Sequence, residues 1–111
     1  MRDFYVADHR IADDEPAYII CEIGSNHQGD IYIAHRMIDA AAQAGVQAVK
    51  TQKRDLAMFL TQEEYDAPYV NENSYGATYG EHRAALELSI EQHSELMEHA
   101  HRLGLAYGCT A

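Results

Sequence analysis

Basic residues are scarce in this chain. Eighteen acidic side chains stand against eight basic ones, which gives a formal net charge of -10. Nucleic acids and anionic membrane surfaces bind through basic patches, so this balance argues against both as partners, although small anions could still bind locally. The sequence also lacks an apolar run near the ~20 residues of a membrane span. It shows no secretory signal, because Met1-Arg2-Asp3 leads into a polar, charged stretch. We therefore expect a cytoplasmic protein.

Cysteine is nearly absent, and histidine is scattered. The two cysteines are Cys21 and Cys109. A third predicted strand separates the strands that carry them, and two strand spacings are roughly 9.6 Å, which is beyond the reach of a disulfide. The seven histidines do not follow the spacing of a zinc site. We expect His93, His99 and His101 to lie on solvated faces of a helix.

Apolar periodicity predicts strands that alternate with helices. The predicted elements are a strand over 17–22, a helix from Ile31 capped by Asp30 and stopped by Gly45, a strand over 48–52, a short helix over 81–88, a helix from the cap Ser89 to Leu103, and a strand over 105–110. Residues 1–16 are predicted to be a polar leader that ends at Pro16.

This order of elements predicts an α/β fold with a parallel sheet. Three strands make a poor sheet of that kind, because helices must cover both of its faces. A TIM (β/α)8 barrel needs roughly 250 residues. We therefore interpret residues 17–111 as the N-terminal portion of such a barrel, about three β/α units, incomplete in this chain.

The connection from Lys53 to about Tyr79 is unusually long for an α/β unit, in which connections typically have ~2 to 6 residues. Within it, Thr61 and Glu64 form a capping box that predicts a short helical turn. The tyrosine-rich part from Tyr65 to Tyr79 could close over a ligand or form a packed collar around the rim of the barrel.

Polar side chains stand where the predicted strands end. Glu22, Lys50, Gln52 and Thr110 would meet at one edge of the sheet, where ligands of α/β proteins bind. A carboxylate, an ammonium, an amide and a hydroxyl suit a polar anion bound beside a hydroxylated molecule. A buried lysine without an anion costs several kcal/mol, so we expect Lys50 to pair with Glu22 or with a substrate. From spacing alone, a structural ion pair and a functional site are equally supported.

The same segments carry a family resemblance that covers nearly the whole chain from Ala17 onward. The motifs are Glu22-Ile23-Gly24-Ser25-Asn26-His27-Gln28-Gly29, Val49-Lys50-Thr51-Gln52, Thr78-Tyr79-Gly80-Glu81-His82-Arg83 and Ala85-Leu86-Glu87-Leu88-Ser89. They resemble the sialic acid (N-acetylneuraminate) synthase family. The resemblance implies a TIM-barrel transferase that condenses phosphoenolpyruvate with N-acetylmannosamine or a related N-acetylated amino sugar and releases phosphate. It also implies a homodimer and a divalent metal, Mn or Mg, which acts as a Lewis acid.

The resemblance also implies roles for individual residues. Lys50 is similar to the family lysine that contacts phosphoenolpyruvate, and Thr110 to the threonine that helps hold its phosphate. Gln52 resembles the glutamine that faces the sugar. Glu22 resembles a glutamate at the sugar end, where it could assist proton transfer, and it is our candidate catalytic residue.

Asn26 and His27 belong to the same rim loop and are expected to support substrate binding. The two family histidines that hold the metal lie on later strands, so no metal ligand is expected within this chain and His27 is not assigned as one. Thr51 stands where many relatives have an aromatic residue, and Lys53-Arg54 follows Gln52, so the sugar is left open.

Two alternatives come from other functional classes. The chain could be a non-catalytic assembly partner that pairs its exposed sheet edge with another copy or with a longer relative. It could also bind a small anion through Lys50 and Thr110 without chemistry. Under the enzyme hypothesis the 111-residue chain alone is expected to be inactive, because it holds only part of the catalytic domain.

Overall fold

The computed structural model describes residues 2–111. Along these residues, strands and helices follow one another in the order β1 Asp3–Val6, β2 His9–Ala12, β3 Ile20–Gly24, α1 Ile31–Gln43, β4 Ala48–Gln52, α2 Leu56–Phe59, α3 Gln62–Asp66, α4 Tyr79–Ala85, α5 Ile90–Arg102 and β5 Ala106–Thr110. Of the helices in this part of the chain, none combines the length and the apolar character needed to cross a membrane.

Strands β3, β4 and β5 form a parallel sheet with β4 in the middle. The predicted α/β class and strand order are therefore confirmed. Glu22 is the register partner of Lys50, which in turn lies beside Gly108, and Gln52 lies beside Thr110. Both cysteines are free thiols, as the strand order predicted.

One face of this sheet is covered by α1 and α5. Ile23 and Val49 of the sheet are fully buried, together with Ile38 of α1 and Leu96 of α5. The other face is open within residues 2–111, where Ile20 is 54% exposed. A parallel sheet is usually covered on both faces, so the open face is the unusual surface of this fold.

Local capping chemistry sets where the helices begin. Asp30 accepts hydrogen bonds from the first free amides of α1. Thr61 and Glu64 form the predicted capping box before α3, and Ser89 and Gln92 form the one before α5. Each box satisfies backbone donors that have no partner inside the helix. These predictions are confirmed.

The predicted polar leader forms a hairpin that we did not anticipate. Strands β1 and β2 pair antiparallel around a turn in which Ala7 has a φ of 53°. Arg10 of β2 contacts the carboxylates of Asp3, Asp14 and Glu15. Its guanidinium lowers the pKa of the Asp3 carboxyl by hydrogen bonding. Cross-strand charge pairing, which apolar periodicity does not register, accompanies the hairpin.

Three predicted elements have other bounds in the structure, the smallest difference being in the last strand, which begins at Ala106 instead of residue 105. The first core strand was predicted over 17–22 but spans Ile20–Gly24, because the amide of Ile19 donates to the side chain of Gln47 instead of joining the ladder. The register then shifts between Glu22 and Gly24. The short helix predicted over 81–88 spans Tyr79–Ala85, because Thr78 caps it two residues earlier.

The prediction for His93 was wrong, since this side chain is only 8% exposed. The buried side chains His93, Leu96 and Ala100 recur at three- and four-residue steps, which place them on one face of α5. His99 is partly buried and bonds to Asp39 of α1 at 2.6 Å. His101 is exposed, as predicted.

Candidate functional site

An ion pair lies on the open face of the sheet. Glu22 of β3 and Lys50 of β4 are register partners, and Lys50 Nζ lies 3.2 Å from Glu22 Oε2. Their side chains are 42% (Lys50) and 48% (Glu22) exposed. The burial cost that we expected for Lys50 therefore does not apply here, and a pair this exposed contributes at most ~1 kcal/mol to stability. Only one of the three N–H donors of Lys50 is needed for Glu22, so two can serve a ligand.

Gln52 and Thr110 extend the same face. They are register partners on β4 and β5, and residues two apart in a strand share a face, so Gln52 lies on the side of Lys50. Thr110 is exposed. The structure thus brings together all four polar side chains that were predicted at the strand ends.

Asn26 lies in the loop between β3 and α1. Its Nδ2 donates to the carbonyl of Ile23 at 3.0 Å, which holds the side chain at the end of β3. A Cβ built at Gly24 would lie 3.4 Å from Glu22 Oε1 and 3.9 Å from Asn26 Nδ2. Both polar atoms therefore border Gly24, and Asn26 stands close to the candidate catalytic carboxylate.

His27, in the same loop as Asn26, is buried. It is 1% exposed, and its Nδ1 accepts a hydrogen bond from the Gly29 amide at 3.1 Å. The remaining proton must then be on Nε2, which is buried without a hydrogen-bond partner among the described residues. Burial lowers the pKa of the imidazole. His27 thus stabilises the loop from inside the protein through its hydrogen bond with Gly29. Its direct contact with substrate stays a prediction.

A buried polar cluster on the helix-covered side was missed by sequence analysis. The Tyr107 hydroxyl lies 2.7 Å from Thr51 Oγ1 and 2.8 Å from His93 Nδ1. Burial lowers the pKa of His93 and raises that of Tyr107. Two sequence signals were available, namely a threonine on the apolar side of β4 and a histidine three residues before Leu96.

Three further charged groups, which were not predicted as part of the site, lie beyond the end of β4. Glu87 Oε2 accepts from Lys53 Nζ at 3.1 Å and from the Arg54 amide at 3.2 Å. Arg54 Nη1 donates to Gln52 Oε1 at 2.7 Å, and its guanidinium lies 4.9 Å from the centre of the Phe59 ring. The sequence offered one sign of these contacts, a local concentration of basic residues, since three of the eight lie within residues 50–54.

The tyrosine-rich segment packs against α4, and whether it forms a collar or closes over a ligand stays a prediction. The rings of Tyr69, Tyr75 and Tyr79 surround the His82 ring at centroid distances of 4.4, 5.8 and 6.3 Å. The amide of Tyr75 donates to His82 Nδ1 at 3.2 Å, which ties the segment to α4. Across residues 2–111 no group of three or more His, Cys, Asp or Glu side chains is arranged to hold a metal ion.

A family model described as the NeuB family matches residues 37–111. The chain belongs to the NeuB family. The resemblance inferred from the sequence motifs is thereby confirmed.

Curated relatives agree with this assignment. The chain is 42% identical over 92 residues to mouse N-acetylneuraminate-9-phosphate synthase, an alignment that covers 83% of the chain and 26% of that protein. It is 39% identical over 97 residues to the human protein of the same name, covering 87% and 27%. It is 40% identical over 96 residues to N,N'-diacetyllegionaminic acid synthase from Legionella pneumophila, covering 84% and 26%. The chain spans about a quarter of the length of these relatives.

Solved structures share the fold. The N-acetylneuraminic acid synthetase of Leptospira borgpetersenii superimposes with a TM-score of 0.69 at 24% identity, covering 97% of this chain and 33% of that one. The spore coat polysaccharide biosynthesis protein spsE of Bacillus subtilis gives 0.67 at 27% identity, covering 99% and 28%.

Proposed function

We propose that this NeuB-family chain is part of a sialic acid synthase-type enzyme that condenses phosphoenolpyruvate with N-acetylmannosamine or a related amino sugar. The products are a nine-carbon sugar acid and phosphate. One observation carries the proposal: Glu22, Lys50, Gln52 and Thr110 share the open face at the carboxyl ends of three parallel strands. We further propose that these strands are the first three of a TIM barrel, in which this face would be the interior.

In the proposed reaction, the methylene carbon of phosphoenolpyruvate forms a bond to the aldehyde carbon of the open sugar. Water then adds to the cationic carbon that results, and the tetrahedral intermediate expels phosphate by cleavage of its carbon–oxygen bond. Lys50 offers two free N–H donors to the anionic substrate, and Thr110 offers a hydroxyl donor. Glu22 is a half-exposed carboxylate that can move a proton at the sugar end.

A manganese or magnesium ion would polarise the sugar aldehyde when bound. The described residues do not provide a set of ligands for it, and we assign none within this chain. We therefore attribute to these residues only the binding of substrates, their orientation and the transfer of a proton.

The test is a phosphate-release assay on the full-length protein that contains this chain, with intact mass measured on the same sample. Metal-dependent phosphate release that requires both phosphoenolpyruvate and N-acetylmannosamine or a related sugar would support the proposal. Lys50→Met should abolish release, whereas Arg36→Met, on an exposed part of α1, should leave it unchanged. Binding of phosphoenolpyruvate without turnover on any sugar tested would instead favour the anion-binding alternative.

A further inference from the structure

The orientation of the Gln52 amide is decided by its neighbour Arg54. A guanidinium can donate hydrogen bonds but cannot accept them. Arg54 Nη1 lies 2.7 Å from the Gln52 side chain, so the carbonyl oxygen of that amide must be the atom that faces Arg54. The NH2 group of Gln52 is left to face the rest of the site.

Arg54 is itself held in place. Its guanidinium lies 4.9 Å from the centre of the Phe59 ring, a cation–π distance. Its backbone amide donates to Glu87 Oε2 at 3.2 Å. Among residues 2–111 no carboxylate lies within ion-pair distance of the guanidinium, so its contact with Gln52 does not compete with an acidic partner. Phe59 belongs to α2. The position of α2 therefore affects Arg54 and, through Arg54, the orientation of the Gln52 side chain.

The neighbouring cations are engaged differently. Lys50 Nζ lies 3.2 Å from Glu22 Oε2, and Lys53 Nζ lies 3.1 Å from Glu87 Oε2. Arg54 instead donates to a neutral amide. A short hydrogen bond from a charged donor to an amide carbonyl is stronger than a hydrogen bond between two neutral groups. It therefore fixes which end of the Gln52 amide faces Arg54.

We propose that Arg54 is a positioning residue that turns the NH2 group of Gln52 toward the sugar as a hydrogen-bond donor. The site would then select an oxygen acceptor at this position, either a hydroxyl oxygen or the acetyl carbonyl oxygen of the amino sugar. This inference rests on the proposed function, because it assumes that Gln52 faces the sugar. Arg54 acts through Gln52 and needs no contact with the reacting atoms.

The kinetic test compares three variants in the full-length protein. Arg54→Met removes the donors but keeps a long side chain, and it should raise KM for the amino sugar roughly tenfold, since a hydrogen bond to a charged group is lost. KM for phosphoenolpyruvate should change less than about twofold. Arg54→Lys should recover part of the loss, and Arg36→Met on the outer face of α1 is the matched control.

A double-mutant cycle separates positioning from general electrostatics. If Arg54 acts through Gln52, then Gln52→Ala combined with Arg54→Met should be no worse for the sugar than Gln52→Ala alone. Fully additive effects would overturn the proposal. So would an equal rise in KM for both substrates after Arg54→Met, because that pattern describes a general charge effect.

A spectroscopic measurement is independent of turnover. In protein labelled with 15N at glutamine side-chain amides, the Gln52 resonance is assigned by its loss in Gln52→Ala. It should shift in Arg54→Met and stay in place in Arg36→Met. An unmoved Gln52 resonance would overturn the positioning role. Absence of turnover in the parent protein, together with a shifted resonance, would reject the proposed function and leave the positioning contact intact.

Discussion

Replacement of Gly29 by alanine should destabilise the protein far more than the same replacement at Gly45. Both glycines have a positive φ, 73° at Gly29 and 81° at Gly45. Their surroundings differ. A Cβ at Gly29 would overlap the backbone carbonyl oxygen of Ala85, whereas a Cβ at Gly45 would meet no atom within 4 Å. The pair therefore separates the cost of backbone conformation from the cost of a steric clash.

The magnitudes follow from these two terms. The left-handed conformation costs a residue with a Cβ roughly 1 to 2 kcal/mol, and this is the whole effect expected of Gly45→Ala. Gly29→Ala adds a clash with the main chain of Ala85, the last residue of α4, which a side-chain rotation cannot relieve. Overpacking typically costs about 1 to 3 kcal/mol more, so we expect a total of about 2 to 5 kcal/mol.

The assay is chemical denaturation of the two variants and the parent protein, followed by circular dichroism. The loop that Gly29 closes carries Asn26 and His27, so Gly29→Ala should also weaken substrate binding while Gly45→Ala leaves it unchanged. Equal destabilisation by the two substitutions would refute the reasoning, because it would mean that the contact with Ala85 is absent or easily relieved.

The remaining predictions concern the buried cluster and the ion pair. Tyr107→Phe should lower the free energy of unfolding, measured by urea denaturation, by about 1 to 2 kcal/mol, because Thr51 and His93 both lose a hydrogen-bond partner. Thr51→Val should lower it less, since the contact between Tyr107 and His93 survives. A larger loss in Thr51→Val than in Tyr107→Phe would contradict this network. Burial lowers the pKa of His27 and His93. As pH falls, these histidines therefore bind protons in the unfolded chain at a higher pH than in the folded one, and the free energy of unfolding should decrease below about pH 6.5. A flat pH profile through that window, or one that His93→Gln leaves as steep as before, would count against it. Lys50→Met should change thermal stability by less than about 1 kcal/mol while abolishing phosphate release; a large loss of stability would restore the structural interpretation of its ion pair.

Much of the fold was predictable because it depends on contacts between near neighbours in sequence. Asp30 caps α1, and the boxes of Thr61 with Glu64 and of Ser89 with Gln92 begin two more helices. Each device joins residues two or three positions apart, so a linear pattern reveals it. The central strand β4 was predicted with its observed bounds, because Ala48, Lys50 and Gln52 alternate with Val49 and Thr51 between the two faces.

Part of the site was predictable for a different reason. Parallel strands align their carboxyl ends at one edge, so Glu22, Lys50, Gln52 and Thr110 were expected together, with Glu22 as one of two expected partners of Lys50. The contact of Arg54 with Gln52 was not expected. It depends on a side-chain conformation in which the guanidinium also lies beside the Phe59 ring.

By itself, the sequence determined the family, the α/β class, the starts of α1, α3 and α5, and the polar ends of three strands, since each of these depends on local pattern or on a contiguous motif. Only the tertiary structure decided that His93 is buried against Tyr107 and that His27 is enclosed. It also decided that the leader pairs with itself as a hairpin. These outcomes depend on partners distant along the chain or on the exact register of a pairing, and the resulting burial lowers the pKa of both histidines.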